Sequence, residues 1–280
     1  MEKLLIVDGS NLLFQMFYGM PSRIVNKEGK AIHGTVGFIG ALLKTVRMNS
    51  PTHVVVLFDG EHHNDRKEVD EAYKANRPDF SLIPEEETPF SQLPDIYRAL
   101  DFLKIKHTET TVCETDDLIA SYALQYGDKM QIVISSFDSD FFQLITPNVK
   151  IWRYRGEKSQ LCGEDYVREK YDVSPCAYAD FKCLVGDTVD NIKGADKIGV
   201  KTAAKLLNAF GSLEGIMQNI DQIGQAGVRS SLQSAKERLQ KNRLLIVLNA
   251  AQCVPFSLDE LAYTNSGVTT GEVLRAIGLK

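Results

Sequence analysis

The chain has 280 residues, of which 44% are hydrophobic, 25% charged and 9% aromatic. This is the composition of an ordinary globular protein, so a disordered tail, a collagen-like chain and a coiled-coil rod are excluded. The net charge of −5 argues at first against a polyanionic partner, and five cysteines without a C-x-x-C pair argue against zinc or a disulfide framework.

The opening MEKLLIVDGSN reaches an aspartate after a short apolar run. That is too brief for a signal peptide or a membrane span, so a cytoplasmic protein with no membrane partner is expected. Leu4–Val7 and Val54–Phe58 are apolar, rich in β-branched residues, and are closed by Asp8 and Asp59; Ile132–Ser135 is a third such run, followed by Phe137 and Asp138. Runs of this kind predict strands buried on both faces of a parallel sheet. Thr35–Met48, apolar at 36, 39, 42, 43 and 46, and Leu93–Leu103 predict helices between them. The alternation predicts an α/β fold, a mostly parallel central sheet with helices on both faces. Sites in such sheets form beyond the carboxyl ends of the strands, where these aspartates fall. Residues 61–93 are polar and long for a connection, which predicts a functional or mobile element. From about Gly163 the pattern is helical, which divides the chain into an α/β part, 1–165, and a helical part, 166–280, packed on it.

The chemistry is carried by acids. Asp8 and Asp59 end strands; Glu114, Asp116 and Asp117 open a helical segment; Asp138 and Asp140 are two apart; Asp187 and Asp190 are three apart, as on one helical face. Each has a local explanation as a cap, a turn residue or a first-turn partner of the helix dipole. Together they need another, because converging carboxylates repel unless cations neutralise them. Oxygen donors without a cysteine or histidine cluster select hard cations, Mg²⁺ or Mn²⁺. Two such ions about 4 Å apart can stabilise the attacking and leaving oxygens of phosphodiester hydrolysis. Without these nine acids the rest of the chain is net positive, which suits a polyanion after all. His33, His53, His62, His63 and His107 show no ligand spacing, and Trp152 and Phe137 are expected in the core.

In chain order stand VDGSN, FDG, YKANRP, ETDD, FDSD and GDTVDNIKG. This series closely resembles the bacterial 5′-nuclease family, the flap endonucleases and the 5′→3′ exonuclease domain of family A DNA polymerases, over about residues 3 to 250. The resemblance implies a PIN-like, resolvase-like core with a helical arch at about 61–93 and a helix–hairpin subdomain of the helix-3-turn-helix type. It implies that the nine acids hold two Mg²⁺ or Mn²⁺ ions, and that Tyr73 stacks on the nucleotide at the scissile bond. It further implies that Lys74 meets the scissile phosphate, that Lys182 is a second active-site lysine, and that Arg66 and Arg77 lie in the arch over the 5′ strand. With no polymerase domain following, the chain resembles the free-standing form.

Residues 194–213, GADKIGVKTAAKLLNAFGSL, read as a glycine-punctuated turn into a helix, whose first N–H groups suit phosphate. This resembles the family's duplex-binding turn, which implies DNA contacts at Gly194, Gly199, Lys201, Thr202 and Lys205 and a K⁺ ion, although Lys197 stands where the family usually has glycine. Lys236, Arg238, Lys241 and Arg243 line the last long helix, as a solvated face or a duplex contact. The expected function is a monomeric structure-specific 5′-nuclease that cuts 5′ flaps and 5′ ends of branched DNA, or RNA primers on DNA, near the nucleoid. The alternatives are a non-catalytic DNA-junction-binding paralogue and a PIN-type ribonuclease. The intact Asp187 and Asp190 favour catalysis over the first, and the GIGVKTA turn with the long helical half counts against the second.

Overall fold

The computed structural model describes residues 2–60 and 65–280. His62, His63 and the first four positions of the expected arch lie outside the described residues. The first half alternates β1 (Lys3–Asp8), α1 (Gly9–Gly19), α2 (His33–Asn49), β2 (His53–Asp59), α3 (Asp65–Val69), α4 (Leu93–Phe102), β3 (Lys106–Thr110), α5 (Thr115–Tyr126) and β4 (Gln131–Ser135). Strands β5 (Val149–Arg153) and β6 (Gln160–Cys162) complete the sheet. Its order is β3-β2-β1-β4-β5-β6, parallel throughout except for the β5–β6 edge.

The expected strands are buried on both faces. Leu4, Ile6, Val55, Leu57, Ile132 and Ile134 enter one core, beneath α5 and the helical half. Leu5, Val7, Val54, Val56, Phe58 and Val133 enter the other, beneath α1, α2 and α4. The two-residue period sends neighbours to opposite faces, so a one-residue slip would exchange the cores.

The helical half runs α6 (Glu164–Tyr171), α7 (Tyr178–Val185), a two-stranded hairpin of β7 (Gly186–Asp187) and β8 (Ile192–Lys193), α8 (Val200–Phe210), α9 (Leu213–Gln218), α10 (Ala226–Ser234), α11 (Lys236–Ile246), α12 (Leu258–Leu261) and α13 (Thr270–Ala276). Its apolar residues, among them Leu184, Leu206, Leu232 and Leu245, belong to the same core as Leu4 and Ile134. The last segment returns to the first half of the chain. Helix α13 packs on α2 and α4, and its Val273, Leu274 and Ile277 fill the far core. The hairpin departs from the expected pattern: Asp187 and Asp190 do not share a helical face, because α7 stops at Val185 and Gly186 turns the chain at φ 89°. A Cβ at Gly186 would lie 2.5 Å from the Gly194 nitrogen, and one at Gly194 would lie 2.3 Å from the Val185 carbonyl carbon. Both glycines are therefore packing requirements, and Gly194, itself buried, is not the open phosphate contact expected of it.

Residues 65–92 form α3 followed by turns and short 3₁₀ segments. The returning limb is fixed by Phe80 and Phe90, whose rings meet Phe14 of α1 edge-on at 5.6 and 5.8 Å.

Candidate active site

The acids gather beyond the carboxyl ends of the central strands. Asp8 is the N-cap of α1: one carboxylate oxygen accepts from the Asn11 N–H at 2.9 Å and the other from the Ser136 hydroxyl at 2.8 Å. Asp59, at the end of the adjacent parallel strand, accepts from the Thr115 N–H at 3.3 Å, which ties it to the start of α5. Glu114 stands at the N-cap position of that helix without a side-chain capping bond, and Asp116 and Asp117 lie in its first turn. Asp138 follows β4 and accepts from the Asp140 N–H at 2.8 Å, so this pair sits in a turn and not in extended chain.

Electrostatics divide the acids into two lobes that meet at Asp138. In the first, burial and then the neighbouring Asp59 raise the Asp8 pKa to about 7, Asp138 adding to it. Asp116 is raised well above the usual carboxylate range by burial and by Asp138, Asp59 and Asp8, with Lys74 pulling the other way. In the second lobe, carboxylate oxygens of Asp140, Asp187 and Asp190 all lie within 4.8 Å of one another. Burial and Asp138 raise the pKa of Asp140, whereas Asp187, despite burial, is held below its usual value by Lys182 and by backbone N–H groups. Buried carboxylates this close, all of them oxygen donors, fit one or more hard divalent cations.

Cations from the protein are interleaved with these acids. The buried Lys182 of α7 pairs with both Asp140 and Asp187. It precedes the hairpin and does not share a helix with Asp187. Lys74 Nζ lies 3.1 Å from Glu114 Oε1, and its backbone N–H donates to the Asp190 carbonyl at 3.0 Å. Arg77, half exposed, pairs with Asp190 at 2.8 Å. Burial opposes the charge on Lys74, yet Asp116, Glu114 and Asp190 outweigh it and hold its pKa above the ordinary lysine value.

Three expected roles change with this geometry. Tyr73 offers no face for stacking: it is 3% exposed, its hydroxyl donates to Glu114 at 3.2 Å, and Lys74 Nζ covers the ring at 4.8 Å. Arg66 is 8% exposed and its guanidinium is spent on Glu114, Asp117 and the Leu245 carbonyl, so it is not placed against a DNA strand. Asp117 is engaged by other partners: Arg66 grips it at 2.7 and 2.8 Å and the Asn249 N–H donates to it at 2.8 Å.

At the far side Gly199 caps α8 with open space at its Cα, and Lys201 and Lys205 are exposed with Thr202 half-buried. Three of the four basic side chains named on α11 are ion-paired, and Lys236 is exposed. Lys241 pairs with Asp70, Arg238 with Asp196 and Arg243 with Asp180, at 2.8, 3.1 and 3.6 Å.

Sequence reasoning missed Ser136, which donates to Asp8 and accepts from the Asp138 N–H at 3.0 Å. Its place in SSFDSD, two residues before an acid, was the available signal. Asn242 was also missed. From α11 it holds the Cys183 and Lys193 carbonyls at 3.1 and 2.9 Å, and so fixes the hairpin between them. An asparagine inside a basic helix gives no sign of that role.

Residues 3–172 match the family described as 5′-3′ exonuclease, N-terminal resolvase-like domain, and residues 173–268 match its C-terminal SAM fold. DNA polymerase I of Rhizobium leguminosarum is 34% identical over 268 residues, 92% of this chain and 25% of that protein. DNA polymerase I of Streptococcus pneumoniae R6 is 31% identical over 286 residues, 100% of this chain and 32% of that protein. The chain thus spans a quarter to a third of the length of these relatives. Two bacteriophage T5 structures share the fold. The 5′-exonuclease with zinc bound has a TM-score of 0.71 and 22% identity, with 99% of this chain and 100% of that one covered. The flap endonuclease in a pseudo-enzyme–product complex with DNA and metal ions has a TM-score of 0.72 and 22% identity, with 99% of each chain covered. Matched along nearly its whole length, the chain belongs to the 5′-3′ exonuclease family.

Proposed function

We propose that the protein is a structure-specific 5′-nuclease that hydrolyses DNA phosphodiesters at 5′ flaps and 5′ ends with two Mg²⁺ (or Mn²⁺) ions. The observation that carries this reading is the mutual proximity of carboxylates from five separate segments, with Lys74, Arg77 and Lys182 set among them. The relatives' names, DNA polymerase I and a T5 flap endonuclease with DNA, support DNA as the substrate.

Asp8, Asp59, Asp116 and Asp138 would hold one ion and Asp140, Asp187 and Asp190 the other, with Glu114 beside the first. Cations held there supply charge to the phosphate oxygens and lower the pKa of water. The chain's own part is to orient and to neutralise. Lys74 and Arg77, anchored at Asp190, present fixed positive charge where the phosphate's charge develops, and preorganised charge acts most strongly in a dry site. Lys182 bridges Asp140 and Asp187, holds Asp187 in its ionised form and offsets part of the rise that burial and Asp138 impose on Asp140. Gly199, Lys201, Thr202 and Lys205 would take duplex phosphates at the start of α8, a sequence-independent contact. Lys197 adopts φ 64°, the conformation a glycine would provide there, which supports retention of the turn and of a K⁺ site within it.

We read the protein as a monomer of the cytoplasm and nucleoid that removes displaced flaps or RNA primers in replication and repair. Among the described residues no helix is long and apolar enough to cross a membrane. A labelled 5′-flap duplex tests the central reading. Cleavage at the junction with Mg²⁺, abolished by EDTA and by Asp140→Asn, is expected. Binding of the flap without any Mg²⁺- or Mn²⁺-dependent cleavage would instead make the protein a junction binder.

A further inference from the structure

Arg66, at the start of the described part of this segment, makes several side-chain hydrogen bonds. Nε donates to the Leu245 carbonyl at 2.9 Å, Nη1 to Glu114 and Asp117 at 3.0 and 2.8 Å, and Nη2 to Asp117 at 2.7 Å and the Val247 carbonyl at 3.4 Å. One planar fork therefore joins three elements: the root of the arch, the N-terminus of α5 and the end of α11. Four residues on, Asp70 makes a second tie from the arch to α11 through Lys241. Asp117 is committed to the same junction. One of its oxygens accepts from both Arg66 and the Asn249 N–H and the other accepts from Arg66, so its charge is matched and its lone pairs are largely taken. Its neighbour Asp116 faces the acid lobes, about 100° away around the helix. Glu114 stands between the two roles, with one oxygen on Arg66 and Tyr73 and the other on Lys74.

We propose that Arg66 is a positioning residue for cleavage and that Asp117 is its counter-ion, not a metal ligand. The pair pins the arch to α5, so that Glu114 and Lys74 keep one geometry over the scissile phosphate. The role in cleavage rests on the nuclease reading above, while the clamp itself rests on the contacts alone. Arg66→Gln by itself would strand a buried charge on Asp117, so the informative variants are Asp117→Asn and the double variant Arg66→Gln/Asp117→Asn, which removes both charges together.

Three measurements separate the outcomes. Calorimetric titration with Mn²⁺, without DNA, should leave Asp117→Asn within about threefold of wild type, whereas Asp140→Asn should fall by tenfold or more. Hydrogen exchange should show faster exchange of the Asp70, Tyr73 and Lys74 amides in the double variant, with the α5 and β4 amides unchanged. Single-turnover cleavage of a 5′-flap substrate by the double variant should be slowed about 10- to 100-fold, with flap affinity in Ca²⁺ changed much less. Restoring Arg66 alone in that background should not recover the rate, because the fork still lacks the ionised Asp117 that holds two of its N–H groups. A loss of Mn²⁺ affinity in Asp117→Asn as large as in Asp140→Asn would return Asp117 to the metal site and overturn the assignment. Wild-type exchange and rate in the double variant would overturn the positioning role. A wild-type protein that never cuts the flap would sink the nuclease reading, while the titration and exchange measurements still judge the clamp.

Discussion

Lys74 holds a backbone φ of 56°, a left-handed conformation that costs a non-glycine residue about 1 kcal/mol or more. Ties at both ends keep it there: its N–H on the Asp190 carbonyl and its ammonium beside Glu114. A group held this way is suited to meeting charge that appears only in the transition state. Lys74→Ala should therefore lower the single-turnover rate on a 5′-flap substrate by about 10²–10³, with a much smaller loss of affinity measured in Ca²⁺. If the variant binds weakly but cuts at the normal single-turnover rate, Lys74 steers the strand and does not act on the phosphate. The identity of this residue was legible in YKANRP, and the positions of the acids were legible from strand ends and helix starts. What could not be read was orientation. Adjacent in sequence, Asp116 and Asp117 serve different faces of α5, because the partner that claims Asp117 comes from fifty-one positions upstream. Tyr73 likewise was expected, by resemblance, to stack on a nucleotide, yet it is buried in the neighbouring core with its hydroxyl on Glu114.

Strands β1, β2 and β4 and helices α2 and α4 were each foreseeable from apolar periodicity, since burial on both faces leaves nothing but apolar runs. Strand β3, KHTET, carried no such signal, because it lies at the sheet's edge with only one paired side. The β7–β8 hairpin was misread as helix because Asp187 and Asp190 have helical spacing; the deciding fact is the contact of Gly186 with Gly194 across it. That hairpin delivers the chain to the start of α8, where Gly199 adds no side-chain cap and Lys201 stands exposed. If this element holds duplex backbone, binding should weaken linearly in log–log salt plots, and Lys201→Ala should flatten the slope by about one unit. Equilibrium binding to a plain duplex at several salt concentrations measures it. An unchanged slope would leave α8 as a packing element only, its apolar face buried with Ala203, Ala204, Leu206 and Leu207.

At the scale of the molecule, two cores hold the sheet while repelling acids are collected at one end of it. The acids resist folding and the apolar faces overcome them, so the cost should be visible when no cation is present. Asp8 shows the sign. Its folded-state pKa is raised from 3.8 to about 7, first by burial and then by Asp59. The folded protein then holds this proton more tightly than the unfolded chain does. The corresponding stability is fully present below about pH 4 and is lost as pH rises through 7, an effect of a few kcal/mol for one such group. Asp116 and Asp140 shift in the same direction. In chelator the melting temperature should therefore fall between about pH 4 and 7, opposite to the trend for proteins whose carboxylates are stabilised by ion pairs. Mg²⁺ or Mn²⁺ should flatten that fall by binding the ionised acids, and Asp8→Asn should flatten it in chelator as well. Melting curves at four or five pH values, with and without divalent cation, give the test. Superimposable profiles in the two conditions would mean that the acids are already satisfied by Lys74, Arg77 and Lys182, and that the cluster is an ion-pair network before it is a metal site.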